Sequence, residues 1–184
     1  MTGNLFFQRA KWLGAIFFLA VWPAAPQQPL KPSEVVSPTI YSSLEPAARG
    51  SSFQIAVIMK IHQGYHVNAR EKSMEYLIAT DLKAQMPGGF TAGEVAYPKG
   101  TLKTFSFSKT PLNVYQDTVT LLLPIKVLAN APLGAQKIPL KLRYQACNDE
   151  LCLPPFTLNL ESNITVAASA SAAKPAHAEI FSAK

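Results

Sequence analysis

Apolar side chains occupy every second position in three separate stretches of this chain, residues 53–61, 119–127 and 138–146. A β-strand turns successive side chains to opposite faces, whereas a helix needs apolar residues three and four positions apart. Each stretch therefore predicts a strand with one buried face. A shorter alternating set at residues 156–160 predicts one more strand, paired with the stretch before it.

Turn-forming residues separate these stretches and keep the predicted strands short. Gly and Pro cluster at residues 87–89, 97–100 and 132–134, where they favour tight turns. Residues 76–82 are also predicted to form a strand, because their flanks lack a helix-capping pattern. No helix of normal length is predicted after the N-terminal segment. We therefore expect an all-β sandwich with one domain, since 184 residues suffice for one core and are few for two.

The N-terminus has the composition of a secretory signal. Arg9 and Lys11 precede an apolar segment at residues 12–22, which is shorter than the roughly 20 residues that a membrane-spanning helix needs. A retained anchor is the alternative to removal of this segment. The predicted organisation is a signal peptide at 1–25, a Pro-rich linker at 26–33, a folded domain at 34–166 and a low-complexity tail at 167–184. The expected location is the periplasm or another exported, oxidising compartment.

Charge and hydrophobicity exclude two classes of protein. Hydrophobic residues make up 48% of the chain and charged residues 15%, a balance that excludes a disordered chain. The formal net charge is +6, but the basic residues are scattered, without a dense block or interleaved aromatic residues. Nucleic acid is therefore not a predicted partner.

Cys147 and Cys152 are the only cysteines in the chain, and they lie in the predicted connection between two late strands. A bridge between them closes a loop of about six residues and stabilises the fold by roughly 2 kcal/mol. That is little for a domain of this size, so we expect a bond that is made and broken. Asp149 and Glu150 lie between the cysteines, and their negative charge disfavours a thiolate. The pair is predicted to be a weak nucleophile that exchanges with an activated thiol on a partner.

The alternation in residues 138–146 also predicts how Cys147 is oriented. The even-numbered residues of this stretch are apolar and are expected to face the core. By the same parity, Cys147 would lie on the outer side with Arg143 and Gln145, at the end of the strand.

Two other interpretations of the cysteines stay open at this stage. A permanent bridge would make the chain a β-sandwich binding or assembly module with a purely structural disulfide, although this spacing cannot join two sheets as an immunoglobulin disulfide does. Alternatively, His62 and His66 could join two thiolates in a four-ligand metal site. Histidines four residues apart share a face of a helix, but these flank Gly64 in strand-like sequence. No metal or other cofactor is therefore expected.

Three short elements together carry a resemblance to a known family. They are Tyr144-Gln145-Ala146-Cys147, Cys152-x-Pro154-Pro155 and Gly64-Tyr65-His66. With them, residues 34–166 resemble the N-terminal periplasmic domain of the thiol:disulfide interchange protein DsbD. The resemblance implies an immunoglobulin-like fold and a redox-active cysteine pair that relays electrons from a membrane-linked, thioredoxin-like donor to periplasmic oxidoreductases. The chain would then be a component of protein-disulfide reduction, with thioredoxin-fold proteins as its partners.

The resemblance also implies roles for individual residues. Cys152 would attack or accept the partner's sulfur, and Cys147 would resolve the mixed disulfide. Phe105 or Phe107, in a polar stretch that suits a loop lying over another part of the structure, would cap the disulfide until a partner displaces it. Tyr65 would pack beside the pair. For these three aromatic residues, an exposed anchoring loop and ordinary core packing are the alternatives.

The sequence departs from the family's pattern in two places. Acidic residues precede the cap aromatic in the type member, whereas Lys103 and Thr104 stand here, so acidic tuning at that position is not expected. The sequence also contains no membrane-spanning or thioredoxin-like portion beside the domain. We therefore expect a stand-alone module that cannot move electrons across a membrane by itself.

Overall fold

Strands dominate the computed structural model, which describes residues 29–182; the predicted signal peptide lies outside this range. In chain order the strands are β1 (Val36–Ser42), β2 (Ala47–Ala48), β3 (Ser52–Ile61), β4 (His66–Asn68), β5 (Asp81–Ala84), β6 (Phe90–Ala92), β7 (Thr101–Lys103), β8 (Leu112–Tyr115), β9 (Thr118–Val127), β10 (Gly134–Tyr144), β11 (Ala146–Cys147) and β12 (Phe156–Ala167). The helical segments within residues 29–182 are α1 (Pro32–Val35), a 3-10 turn (Ala170–Ala172) and α2 (Ala178–Phe181). The all-β prediction is confirmed.

Two four-stranded sheets form the body of the domain. The first has the order β1-β3-β9-β6, and the second has the order β2-β12-β10-β5. Strands β3 and β9 pair antiparallel, with Ile55 opposite Leu123. Strands β10 and β12 also pair antiparallel, from Gly134 opposite Val166 to Tyr144 opposite Phe156. The connection between β10 and β12 therefore contains both cysteines, as predicted.

The alternating apolar residues of both sheets form one core. The buried members from the three predicted stretches are Phe53, Ile55, Val57, Met59, Ile61, Val119, Leu121, Leu123, Ile125, Val127, Ile138, Leu140, Leu142, Tyr144 and Ala146. Each large aliphatic side chain among them contributes about 1.5–3 kcal/mol by leaving water. Because strand parity brings all of them to the same interior, the sandwich prediction is confirmed.

A third, smaller sheet carries the cysteine region. Its order is β11-β4-β8-β7, and it begins where β10 ends. The chain leaves the second sheet at Tyr144, passes through Gln145 and enters β11 at Ala146. The alternating residues 138–146 are therefore divided between two sheets. Residues up to Tyr144 lie in the second sheet, and Ala146 lies in the third.

The strand predicted at residues 76–82 is wrong over most of its length. The ladder begins only at Asp81, and Tyr76 is 75% exposed. The backbone amide of Ile78 donates to the side-chain oxygen of Gln145 (3.3 Å), and that of Thr80 donates to the carbonyl of Asn68 (3.1 Å). The two amides bond to different parts of the chain and not to one neighbouring strand. The segment is therefore a loop packed over the third sheet.

The C-terminal segment follows the edge of the domain. None of residues 168–182 is buried, yet the backbone amide of Ala176 donates to the carbonyl of Ser43 (3.0 Å) and that of Glu45 donates to the carbonyl of Lys174 (2.9 Å). Within residues 29–182, no helix is both long and apolar enough to cross a membrane.

Candidate functional site

Cys147 and Cys152 form a disulfide across a tight hairpin. The sulfur atoms are 1.99 Å apart and the Cα atoms 3.9 Å apart. On one side of the pair, the amide of Leu153 donates to the carbonyl of Ala146 (2.8 Å), and on the other side the amide of Asn148 donates to the carbonyl of Leu151 (3.0 Å). The cysteines thus occupy a non-hydrogen-bonded pair, the position at which antiparallel strands bring opposite residues closest together.

The side chain of Asn148 shapes the turn of this hairpin. Its Oδ1 accepts hydrogen bonds from the amides of Glu150 (2.9 Å) and Leu151 (2.8 Å). Asn side chains commonly replace a backbone acceptor in this way and so stabilise turns. The turn places the two cysteine backbones opposite each other.

The two cysteines differ in exposure, and Cys147 is buried although it lies on the face opposite the main core, where strand parity placed it. Cys147 is 0% exposed, whereas Cys152 is an exposed residue. The outer side predicted for Cys147 does not meet water, because that face of the third sheet is covered. A small apolar cluster of Leu77, Phe105, Leu112 and Val114 forms this cover, with Met74 packed against it.

His66 lies directly opposite Cys147 in the ladder between β4 and β11. Its side chain is 1% exposed, and its ring is stacked on that of Phe105, with centroids 4.0 Å apart. Burial lowers the pKa of His66 to about 4; nearby Asp149 raises it and Lys103 lowers it, both by smaller amounts. The imidazole is therefore neutral near pH 7. Its Nε2 is buried without a hydrogen-bond partner.

The two candidate cap residues have different environments. Phe105 is 8% exposed and Phe107 is 40% exposed, with ring centroids 5.4 Å apart. Between them, the hydroxyl of Ser106 donates to the carbonyl of Asp149 (3.0 Å). The segment is a loop, as predicted, and this hydrogen bond attaches it to the cysteine hairpin.

Tyr65 lies on the other side of the hairpin from the Phe105 loop. It is 9% exposed and belongs to the main core together with Leu153, and its hydroxyl accepts a hydrogen bond from the amide of Leu30 (2.9 Å). Its ring lines an open cleft of about 720 Å³ that the turn residues 148–151 also line. The structure thus places Tyr65 beside the turn of the hairpin.

A polar pair of buried Asn68 and half-buried Gln145 supports the hairpin, and the sequence did not predict it. The side-chain Nδ2 of Asn68 donates to Oε1 of Gln145 (3.3 Å) and to the carbonyl of Ile78 (3.1 Å). Nε2 of Gln145 donates to the carbonyl of Leu153 (3.4 Å). Gln145 therefore links β4, the 70–80 loop and the segment between the disulfide and β12. The sequence signal for Gln145 was its position two residues before Cys147 in the Tyr144–Cys147 motif.

The histidines do not assemble with the cysteines into a four-ligand set. His62 is exposed, and its Nδ1 contacts the carbonyl of Gln63 (2.8 Å). The two sulfurs are bonded to each other. Within residues 29–182, no group of three or more His, Cys, Asp or Glu side chains is placed to hold a metal ion.

Comparison with solved structures shows similar folds at low sequence identity. The N-terminal domain of DsbD from Neisseria meningitidis, in its reduced form, is 20% identical with a TM-score of 0.46, and the match covers 74% of this chain and 90% of that one. The N-terminal periplasmic domain of ScsB from Proteus mirabilis is 11% identical with a TM-score of 0.51, and the match covers 83% of this chain but only 53% of that one. No curated protein sequence matches this chain.

A family model decides the relationship. The model described as the N-terminal part of the thiol:disulfide interchange protein DsbD matches residues 31–163. This range includes the third sheet, the cysteine hairpin and both sheets of the sandwich except the last four residues of β12. The expected immunoglobulin-like β-sandwich is confirmed. The chain belongs to the family of the N-terminal domain of DsbD.

Proposed function

We propose that this chain is an exported thiol–disulfide exchange module in which Cys147 and Cys152 carry two electrons between thioredoxin-fold proteins. The observation that carries the proposal is the asymmetry of the bond, with one cysteine fully buried and the other exposed. A partner thiolate can reach Cys152 from solvent, whereas Cys147 is protected from it. Family membership supports the same chemistry.

The exchange proceeds in two steps. A thiolate of the donor attacks Sγ of Cys152, the bond between the cysteines breaks, and its electron pair stays on Sγ of Cys147, which later takes up a proton. A second thiolate of the donor then attacks the donor's first sulfur in the mixed disulfide. This attack releases Cys152 as a thiolate. The donor is oxidised to a disulfide and this chain is reduced to a dithiol. In the reverse sequence, the thiolate of Cys152 attacks the disulfide of an acceptor, and the two electrons pass from this chain to the acceptor.

Phe105 is the residue that shields Cys147 in this proposal. Its ring is buried against His66, the ladder partner of Cys147, and the next residue is tied to the hairpin through Asp149. The exposed Phe107 lies farther from His66, at 6.4 Å between centroids. Phe105 therefore covers the His66 side of the site and leaves Cys152 open. A partner has to displace the loop to reach Cys147.

The partners follow from the family. The electron donor is a thioredoxin-like domain linked to a membrane electron-transfer protein, and the acceptors are periplasmic oxidoreductases. Within residues 29–182 no long helix is present to activate a thiol at the site, and Asp149 and Glu150 lie in the turn. The activated thiolate is supplied by the partner, and this chain is a passive relay.

A trapping experiment tests the exchange chemistry. In Cys147→Ala, Cys152 can form a mixed disulfide that no second cysteine of this chain resolves, so covalent complexes with thioredoxin-fold proteins are expected to accumulate. Cys152→Ala is the matched control and is expected to trap none, because Cys147 is buried. The measurement is non-reducing electrophoresis of exported protein, with mass spectrometry of the captured partners.

Two results together would contradict the proposal. They are the failure of both single-cysteine variants to capture a thioredoxin-fold protein and the resistance of the native disulfide to millimolar thiol reductants. In that case the disulfide is structural. The double variant Cys147→Ala/Cys152→Ala would then lower the melting temperature without affecting any partner binding.

A further inference from the structure

The imidazole of His66 is a buried polar group without a complete set of partners. Its Nε2 is buried and lacks a hydrogen bond in the oxidised protein. Buried polar atoms are nearly always paired, and leaving one unpaired costs free energy. Because His66 lies beside the Cys147–Cys152 disulfide, Nε2 could find its partner when that disulfide is reduced.

The position of His66 gives such an explanation. His66 and Cys147 are register partners in the antiparallel ladder between β4 and β11, so their side chains project from the same face, with Cβ atoms about 4.5–5.5 Å apart. Both residues are buried, at 1% and 0% exposure. The ring of Phe105 covers His66 from above. The sulfur of Cys147 is thus a neighbouring atom that gains hydrogen-bonding capacity when the disulfide is reduced.

We propose that His66 is a further catalytic residue of this site, whose Nε2–H donates a hydrogen bond to the sulfur of Cys147 as the disulfide opens. This inference rests on the exchange function proposed above. In the oxidised protein the sulfur is bonded to Cys152 and carries no charge. In the reduced protein the same sulfur is a thiolate or thiol, and the hydrogen bond is completed.

The electron and proton balance of the step is simple. When a partner thiolate forms its bond to Sγ of Cys152, the electron pair of the broken bond remains on Sγ of Cys147. Neutral His66 shares its Nε2 proton with that sulfur but does not give it up. The proton that converts the thiolate to a thiol comes from solvent. A donor already aimed at the atom where charge develops lowers the barrier without reorganisation.

The charges that face His66 agree with a neutral donor. Asp149, on the turn of the hairpin, and Lys103, at the end of β7, shift the pKa of His66 in opposite directions, and burial is the larger effect. The imidazole therefore enters the reaction uncharged near pH 7. It acts through its hydrogen bond and not as a cation.

Replacing His66 tests the inference. His66→Phe keeps an aromatic ring beside Phe105 but removes both ring nitrogens, and His66→Gln restores an N–H at a similar reach. In His66→Phe the reduced state loses its hydrogen bond, so the equilibrium constant for reduction by glutathione is expected to fall about tenfold, which corresponds to a potential roughly 30 mV more negative. In His66→Gln most of this loss is expected to be recovered.

The pKa of the Cys147 thiol gives a second readout. It is measured by thiolate absorbance in the Cys152→Ala background, with and without His66→Phe. Loss of the hydrogen bond is expected to raise this pKa by about 1 unit. His62→Phe, a change at an exposed histidine, is the matched control and should alter neither the pKa nor the potential.

The outcomes separate this inference from the proposed function. Native-like circular dichroism of each variant establishes that it folds. If folded His66→Phe has the same potential and leaves the pKa of Cys147 unchanged, His66 is only a packing residue and the inference is overturned. Because glutathione and thiol titration require no partner protein, these results do not depend on trapping. Failure of Cys147→Ala to capture a partner, with the His66 effects present, would overturn only the relay function.

Discussion

At the scale of single residues, burial determines the chemistry of His66. The side chain lies between β4 and the Phe105 loop, and its pKa is lowered to about 4 because the charged form loses its hydration. The unfolded chain has the ordinary histidine pKa of roughly 6.5. Between these values the unfolded state binds a proton that the folded state does not. The free energy of unfolding therefore decreases as the pH falls from about 6.5 to about 4.

The protein is expected to lose about 3 kcal/mol of stability over this pH interval through His66. His66→Phe should remove that part of the pH dependence, because no group at this position titrates. Urea unfolding at a series of pH values measures the effect, with His62→Phe as the exposed control. Equal slopes of stability against pH in the wild type and in His66→Phe would contradict the prediction.

Sequence reasoning found some of the site residues and missed others for a physical reason. Cys147 and Cys152 were recognisable because the chain has no other cysteines, and the disulfide between them is present. The contact of His66 with Phe105 joins residues 39 positions apart, and no local pattern encodes it. The different exposure of Phe105 and Phe107 likewise depends on which ring meets the third sheet.

At the scale of elements, the cysteine hairpin is held by its turn. Two backbone amides in the turn donate to the side chain of Asn148, and the neighbouring strands pair on both sides of the disulfide. We expect this arrangement to keep the thiols of the reduced protein close together. Close thiols favour reoxidation, because little chain entropy is lost when the bond forms.

Asn148→Ala is expected to favour the reduced form. Loss of the turn hydrogen bonds costs about 1 kcal/mol and loosens the dithiol, so the equilibrium constant for closing the disulfide should fall about fivefold. The potential would then be about 20 mV less negative, as measured in a glutathione titration. Glu150→Ala is the control, because within residues 29–182 its side chain makes no hydrogen bond or ion pair. An unchanged potential in Asn148→Ala would show that the turn does not organise the thiols.

At the scale of the whole molecule, Tyr144 joins the start of the domain to the strand that leads into the site. Its hydroxyl donates to the carbonyl of Pro32 (2.7 Å), a residue 112 positions away. The side chain is 0% exposed, and burial raises its pKa to about 12. Above the ordinary tyrosine pKa of roughly 10, the unfolded chain releases a proton that the folded protein retains.

Stability is therefore expected to decrease as the pH rises from about 10 to about 12, by about 2–3 kcal/mol. Tyr144→Phe should remove this alkaline component and cost about 1 kcal/mol at neutral pH through the lost hydrogen bond. Denaturant unfolding across the pH range measures both effects. Tyr76→Phe, at a residue that is 75% exposed, is the control. An alkaline loss that persists in Tyr144→Phe would assign it to other groups.

The sequence by itself determined the class of fold, three of the four long strands and the place of the cysteines between β10 and β12. These features follow from local periodicity and from residue type, and both are properties of neighbouring positions. The tertiary structure alone decided that residues 76–80 form a loop and that Cys147 is buried. Both results depend on the third sheet and on the Phe105 cluster that covers it. Strand parity assigns a side chain to a face, but only contacts between distant segments decide whether that face meets water.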